Sequence, residues 1–259
     1  MKSYAYLLVF FLPQLVSAQN FGTVHKDSVA VNPMPLLMTP VLSSRSVKPF
    51  IIPAVFIGYG IISLGHNSIR DLDFSTRDEL QEDHLLFANH ADDYLRYAPA
   101  AAVYALNLIG IKGKHNIADQ TGLYLLSMGI MGVSTTVVKR VVDRNRPDGS
   151  DNYSFPSGHT ASAFAAAEFL NREYRQVSPW IGYAGYTIAT ATGVLRMYNN
   201  RHFVSDVVAG AGFGIASAKV AYFIYPHLKA LFRSKQNISY SLVPTYQQRS
   251  VGLAFNGTF

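Results

Sequence analysis

The chain predicts an all-α, integral-membrane helical bundle of about six helices. Three observations lead there. Apolar residues make up 49% of the 259 positions and charged residues only 15%, more apolar and less charged than an average soluble domain. Six stretches of helical length recur at 49–64, 94–111, 121–142, 159–174, 179–197 and 203–231. Several hold about seventeen apolar residues, the low limit for crossing a bilayer. They are also rich in Gly, Ala, Ser and Thr, which lets helices pack closely in lipid.

Taken in order, residues 1–18 read as an export signal. Lys2 precedes an apolar run from Tyr4 to Val16, and Val16-Ser17-Ala18 makes a small-residue cleavage site. Residues 19–47, with Pro33, Pro35 and Pro40, read as an extended linker. The helical domain then occupies 48–235. Within it, segment 65–93 is polar and mixed in charge, holding Asp71, Asp73, Asp78, Glu79, Glu82, Asp83, His84, His90, Asp92 and Asp93. No ligand spacing there matches a metal site, so it reads as a solvated connection with an amphipathic helix. Gly210, Gly212 and Gly214 follow no strand, so they are packing glycines and not a nucleotide loop. In the tail, 236–259, Ile238-Tyr240-Leu242 and Val251-Leu253-Phe255 alternate, the pattern of a short β-hairpin.

A formal net charge of +6 on such a chain marks cytoplasmic loops that face anionic lipid. No aromatic-basic repeat points to nucleic acid. With no cysteine, disulfides, thiol catalysis and Cys-zinc sites are excluded.

Three patches carry chemistry. Lys139 and Arg146 lie seven residues apart, and Pro147 argues that the helix stops just before Arg146. One cation then sits at a helix end and the other on the following loop. In the second patch, Pro156-Ser157-Gly158-His159 opens an Ala-rich helix. A helix N-terminus presents free N–H groups and a positive dipole. Ser157 adds a hydroxyl, Gly158 allows close backbone approach, and His159 stands where it can protonate a leaving oxygen. Ser157 is equally readable as an ordinary N-cap. In the third, His202 and Asp206 are four apart on one helix face. A carboxylate on one imidazole nitrogen leaves the other free to attack. Arg196, six residues upstream, can grip phosphate bidentately. Arg201 is assigned to solvent or lipid headgroups.

Together, Lys139-(six residues)-Arg146-Pro147, Pro156-Ser157-Gly158-His159 and Arg196-(five residues)-His202-(three residues)-Asp206 resemble the signature of the type 2 phosphatidic acid phosphatase (PAP2) superfamily, over roughly residues 120–225. Leu195 departs from the small residue usual before the third-motif arginine. The resemblance implies that His202 is the nucleophile and forms a phosphohistidine. Asp206 would orient it, and His159 would protonate the leaving group and then activate water. Lys139, Arg146, Ser157, Gly158 and Arg196 would hold the phosphoryl oxygens. It implies neither metal nor other cofactor. The substrates it implies are phosphorylated lipids: lipid A, undecaprenyl diphosphate, phosphatidic acid or phosphatidylglycerophosphate, with the first two favoured for an exported enzyme. A soluble class A-like acid phosphatase and a vanadate-dependent haloperoxidase share the signature and stay open as alternatives.

Lys112 and Lys114, Arg172 and Arg175, and Lys229, Arg233 and Lys235 flank alternate helix ends. By the positive-inside rule they are cytoplasmic, and the three patches face the periplasm. A cleaved leader leaves the new N-terminus outside. A first segment, 49–64, that crosses incompletely reconciles the two, and Pro49, Pro53, Gly58 and Gly60 make it the least regular of the six.

Overall fold

A computed structural model of the chain describes residues 47–84, 87–233, 239–247 and 250–258. The expected leader at 1–18 and nearly all of the linker at 19–47 lie outside the described residues. After a short 3-10 turn at Lys48–Phe50, eight helices follow: α1 Ile51–Ile62, α2 Ser68–Asp83, α3 Ala91–Leu95, α4 Ala98–Leu108, α5 Ile117–Val142, α6 Gly158–Tyr174, α7 Pro179–Tyr198 and α8 Val204–Arg233. Beyond them, β1 (Ser239–Gln247) pairs antiparallel with β2 (Ser250–Thr258), Ser239 standing opposite Thr258 and Gln247 opposite Ser250.

Among the described residues the bundle has eight helices: the six expected stretches, α2 as the amphipathic helix expected within 65–93, and the short α3. The polar stretch before 94 is therefore largely helical. Asn67 starts α2 by accepting hydrogen bonds from the amides of Ile69 (3.0 Å) and Arg70 (3.2 Å), satisfying donors that the first turn would otherwise leave free. Local capping here outweighs the lack of an apolar stripe wide enough to announce a buried helix.

The long helices begin and end where the chain chemistry demands. Asn116 caps α5 through the Asp119 amide at 2.9 Å. The helix stops at Asp143, which takes a left-handed conformation (φ 52°) that an Asp tolerates. Lys139 thus sits in the last turn and Arg146 on the loop beyond. Pro179 occupies the first turn of α7, where a missing N–H costs nothing.

α6 is the centre of the bundle and packs most extensively on α7 and α8. Its Ala161, Ala163, Ala165, Ala166 and Ala167 are all fully buried, so neighbours approach from every side. A Cβ on Gly210 would stand 2.6 Å from the Ser157 carbonyl oxygen, and one on Gly212 2.8 Å from the Pro53 carbonyl oxygen. These glycines let α8 press against α6 and α1. The core beside them joins Val103, Leu123, Phe169 and Tyr174.

Among the described residues, α5 and the 204–231 stretch of α8 are long and apolar enough to cross a membrane. At 26 residues, α5 is about 39 Å long, against about 30 Å of hydrocarbon. The 12 residues of α1 make only about 18 Å.

Candidate active site

The up-and-down course of α5 to α8 brings four helix ends together. The C-terminus of α5 carries Lys139, the N-terminus of α6 carries His159, the C-terminus of α7 carries Arg196, and the N-terminus of α8 carries Asp206. The Ser157 amide donates to the Asp206 carbonyl at 3.0 Å, which ties the second patch to the third. Gly158 lies against Lys139, with a Cβ built on it 3.9 Å from Lys139 Cε.

His202 stands in the loop between α7 and α8, just 4% exposed. Its Nδ1 lies 3.8 Å from Asp206 Oδ2, beyond hydrogen-bond length, and has no partner. Burial pushes the His202 pKa down to about 4, outweighing the attraction of the Asp206 charge, with Lys139 and Arg196 adding to the depression. The imidazole is therefore neutral at ordinary pH, the form in which a ring nitrogen has a lone pair to attack with.

Asp206 is fixed by three donors from separate parts of the chain. Ser154 Oγ (2.5 Å) and the Phe203 amide (2.9 Å) reach its Oδ2, Arg144 reaches Oδ1 at 2.8 Å, and His202 is the fourth neighbour. Arg144 also bonds Ser205 Oγ at 2.9 Å and Asp73 of α2 at 2.8 Å, and its guanidinium lies over the Phe203 ring, 4.4 Å from the centroid. Asp73 in turn accepts from the Ser205 amide at 2.9 Å and from the Ser205 hydroxyl.

His159 Nε2 bonds Asp93 Oδ1 at 2.7 Å, and Arg196 Nη1 bonds Asp92 Oδ2 at 2.8 Å. The hydrogen bond with His159 holds the Asp93 carboxyl below its ordinary pKa, helped by Arg196 and Arg96. Arg196 Nε is buried without a partner. Lys139 donates to the Tyr153 carbonyl, and Arg146 Nε to Asp151 at 2.7 Å. Ser157 does cap α6: its Oγ accepts from the Thr160 amide at 3.5 Å and meets the Thr160 hydroxyl at 2.9 Å. Arg201, assigned from sequence to solvent or headgroups, has a side chain 45% exposed and pairs with Asp148 at 2.9 Å.

All eight residues singled out from the sequence thus lie at one end of the bundle, on four helix ends and the loops that join them. Asp73, Asp92, Asp93, Arg144, Ser154 and Ser205 were missed. Their contacts span 52 to 132 residues, and no spacing rule reaches that far. The available signal was the density of acidic residues before position 94, opposite so many patch cations. Asp92, Asp93 and His159 place three ligand-type atoms within 4.8 Å of one another. Each carboxylate already has a partner, Arg196 for Asp92 and His159 for Asp93, so the group is a charge-paired cluster.

Residues 120–229 match the PAP2 superfamily. The chain is 31% identical over 246 residues to a lipid A 1-phosphatase from Porphyromonas gingivalis, covering 91% of this chain and 52% of that protein. It is 30% identical over 109 residues to phosphatidylglycerophosphatase B from Bacillus subtilis, covering 36% of this chain and 52% of that one. The chain spans about half the length of these curated relatives. The crystal structure of a transmembrane PAP2-type phosphatidylglycerolphosphate phosphatase from Bacillus subtilis aligns with a TM-score of 0.46 at 19% identity, covering 75% of this chain and 99% of that one. Residues 120–229, the stretch that matches the PAP2 superfamily, carry all three patches.

Proposed function

We propose that this chain is a membrane lipid-phosphate phosphatase. It would remove a phosphate from an envelope lipid, lipid A first and undecaprenyl diphosphate next, through a phosphohistidine on His202 and without a metal ion. The observation that carries this reading is a buried guanidinium nitrogen without a partner, Arg196 Nε, at the end of the bundle that also holds Lys139 and His202. Buried polar atoms are seldom left unpaired, and donors gathered among cations are what a phosphate oxyanion would satisfy.

In this reading Lys139, Arg146, Arg196, Ser157 and the Gly158 amide hold the three phosphoryl oxygens. His202 Nε2 attacks phosphorus as the bond to the leaving oxygen breaks, and His159 gives that oxygen its proton. Ring rotation closes the 3.8 Å gap, so that Nδ1–H donates to Asp206 as the ring gains positive charge. Water then attacks phosphorus, its proton passes to His159, and the P–N bond breaks. Such transfer is mostly positioning and electrostatic stabilisation.

The 31% identity to a lipid A 1-phosphatase over 91% of the chain supports lipid A. A membrane location is supported by α5 and α8. It is supported too by the exposed Leu108, Ile109, Trp180 and Tyr183 at the end away from the patches, where Lys112, Lys114 and Arg175 also lie. That distribution supports a periplasmic active end, with export by way of the leader expected at 1–18.

The test is phosphate release by membranes carrying the wild type or His202→Ala, with EDTA present. The panel holds lipid A, undecaprenyl diphosphate, phosphatidic acid, phosphatidylglycerophosphate and a soluble phosphomonoester. Release from lipid A by the wild type, lost in the variant, is expected. Wild-type release by His202→Ala would overturn the nucleophile, and release from the soluble ester alone would point to a class A-like acid phosphatase.

A further inference from the structure

α3 contributes two adjacent carboxylates to the site, and they hold two different working groups. Asp92 takes Nη1 of Arg196 at 2.8 Å and Asp93 takes Nε2 of His159 at 2.7 Å. Neither belongs to the three patches. Both come from the segment that reads in the sequence as a solvated connection.

The Asp92 pair is built with care. Asp92 is 1% exposed, and its other oxygen accepts from Asn199 Nδ2 at 3.2 Å. Asn199, the C-cap of α7, also donates to the Asn89 carbonyl at 2.7 Å and accepts from the Asn89 amide at 3.0 Å. The start of α3 is therefore clamped to the end of the helix that carries Arg196. A guanidinium grips an oxyanion through two parallel N–H groups. With Nη1 engaged by Asp92 and Nε buried and unpartnered, the edge left for phosphate is Nε with Nη2.

Asp93 is the more open of the two, with its side chain 45% exposed. A carboxylate on one ring nitrogen fixes the imidazole's orientation and makes it more basic, and the other nitrogen then carries the proton to be transferred. That is the requirement of a group that must protonate a leaving oxygen and then take a proton back from water.

We infer that Asp92 and Asp93 are positioning residues of the phosphoryl-transfer site: Asp92 aims the Nε–Nη2 edge of Arg196 at the phosphate, and Asp93 holds His159 ready for proton transfer to the leaving oxygen. The inference rests on the phosphatase reading above. It divides the labour of α3 between binding and proton transfer, and it makes α2 to α3 part of the enzyme and not a connection.

The experiment compares wild type, Asp92→Asn, Asp93→Asn and Asp93→Glu in detergent, on dioctanoyl phosphatidic acid and on p-nitrophenyl phosphate. The alkyl leaving group needs a proton and the nitrophenolate does not. Asp93→Asn is expected to lower kcat/KM, which reads phosphorylation and not the hydrolysis step common to both esters, by about 100-fold on the alkyl ester, the low end of general-acid catalysis, while kcat/KM on the aryl ester stays within about threefold; Asp93→Glu should restore part of the alkyl value. Asp92→Asn is expected to lower kcat/KM by about 100-fold on both esters, and to weaken competitive inhibition by inorganic phosphate in parallel. If Asp92→Asn does not fold, Asn199→Ala, which unclamps Asp92 but keeps its charge, should weaken phosphate inhibition in the same direction. Equal losses on both esters for Asp93→Asn, or unchanged phosphate inhibition for the Asp92 and Asn199 variants, would overturn the inference and leave the phosphatase intact. A variant faster than wild type would show the carboxylates to be blocking groups. No hydrolysis of either ester by a wild type that also releases no phosphate from lipid A would overturn the phosphatase reading, and this one with it.

Discussion

Two buried polar clusters lie toward opposite ends of α6, and they differ in completeness. At the N-terminal end, His202 Nδ1 and Arg196 Nε are buried with no partner. About 15 and 22 Å along the helix, Glu168 and Glu173 are just as buried but fully engaged. Glu168 binds Arg172 at 2.8 Å, Lys219 at 2.9 Å and the Tyr186 hydroxyl. Glu173 accepts from the His115 ring at 2.8 Å, the His115 amide at 2.9 Å, Gln120 at 3.1 Å and the Tyr222 hydroxyl at 2.5 Å. The residue types are alike and the burial is alike. A closed network fixes helices to one another; an open one, flanked by cations, is a place prepared for a charged visitor.

The comparison can be broken first at Arg144, which stiffens the open end. Arg144→Ala strands Asp73 and Asp206, both fully buried, so a loss of about 3 kcal/mol in stability is expected. With Asp206 loosened beneath His202, kcat/KM should fall by roughly 100-fold as well. Phosphate release and denaturant unfolding in detergent check the two effects on one sample. A variant that loses stability and keeps full activity would show Arg144 to be scaffold alone.

At the closed end the expectation is reversed. Glu168→Ala leaves Lys219 and Arg172 without their shared carboxylate and should cost about 3 kcal/mol in unfolding free energy. Turnover per folded molecule should stay unchanged. A selective loss of turnover would mean that the two clusters communicate, and the contrast drawn between them would fail.

The smallest effect is one of pH. The His202 pKa lies at about 4 in the folded protein, below its ordinary 6.5. Between those values the unfolded chain binds a proton that the folded one refuses. Stability from this site is therefore complete above pH 6.5 and is lost as pH falls toward 4. An NMR titration of the His202 ring in the free enzyme should find it neutral at pH 5; a midpoint near 6.5 would contradict the burial that sets it apart.

How much of this was legible in the sequence follows from distance along the chain. Lys139 and Arg146, Ser157 to His159, and Arg196 to Asp206 are short patterns whose spacing states their relation to a helix end or face. The six long apolar stretches announced their helices for the same reason. α2 and α3 were not legible as parts of a site. A solvated amphipathic helix and one that faces cations across a cleft look alike when read alone.

The sequence by itself determined the helical bundle, the three patches and the chemistry their residue types permit, because helix periodicity, capping and side-chain functional groups are local properties. Only the tertiary structure decided that Asp92 and Asp93 stand on Arg196 and His159, that Arg144 bridges Asp73 to Asp206, and that Glu168 and Glu173 close their network while His202 and Arg196 do not. Those facts depend on which helix ends meet, and that is set by packing of Ala- and Gly-rich surfaces on α6 and α8, a property of the whole chain that no single segment holds.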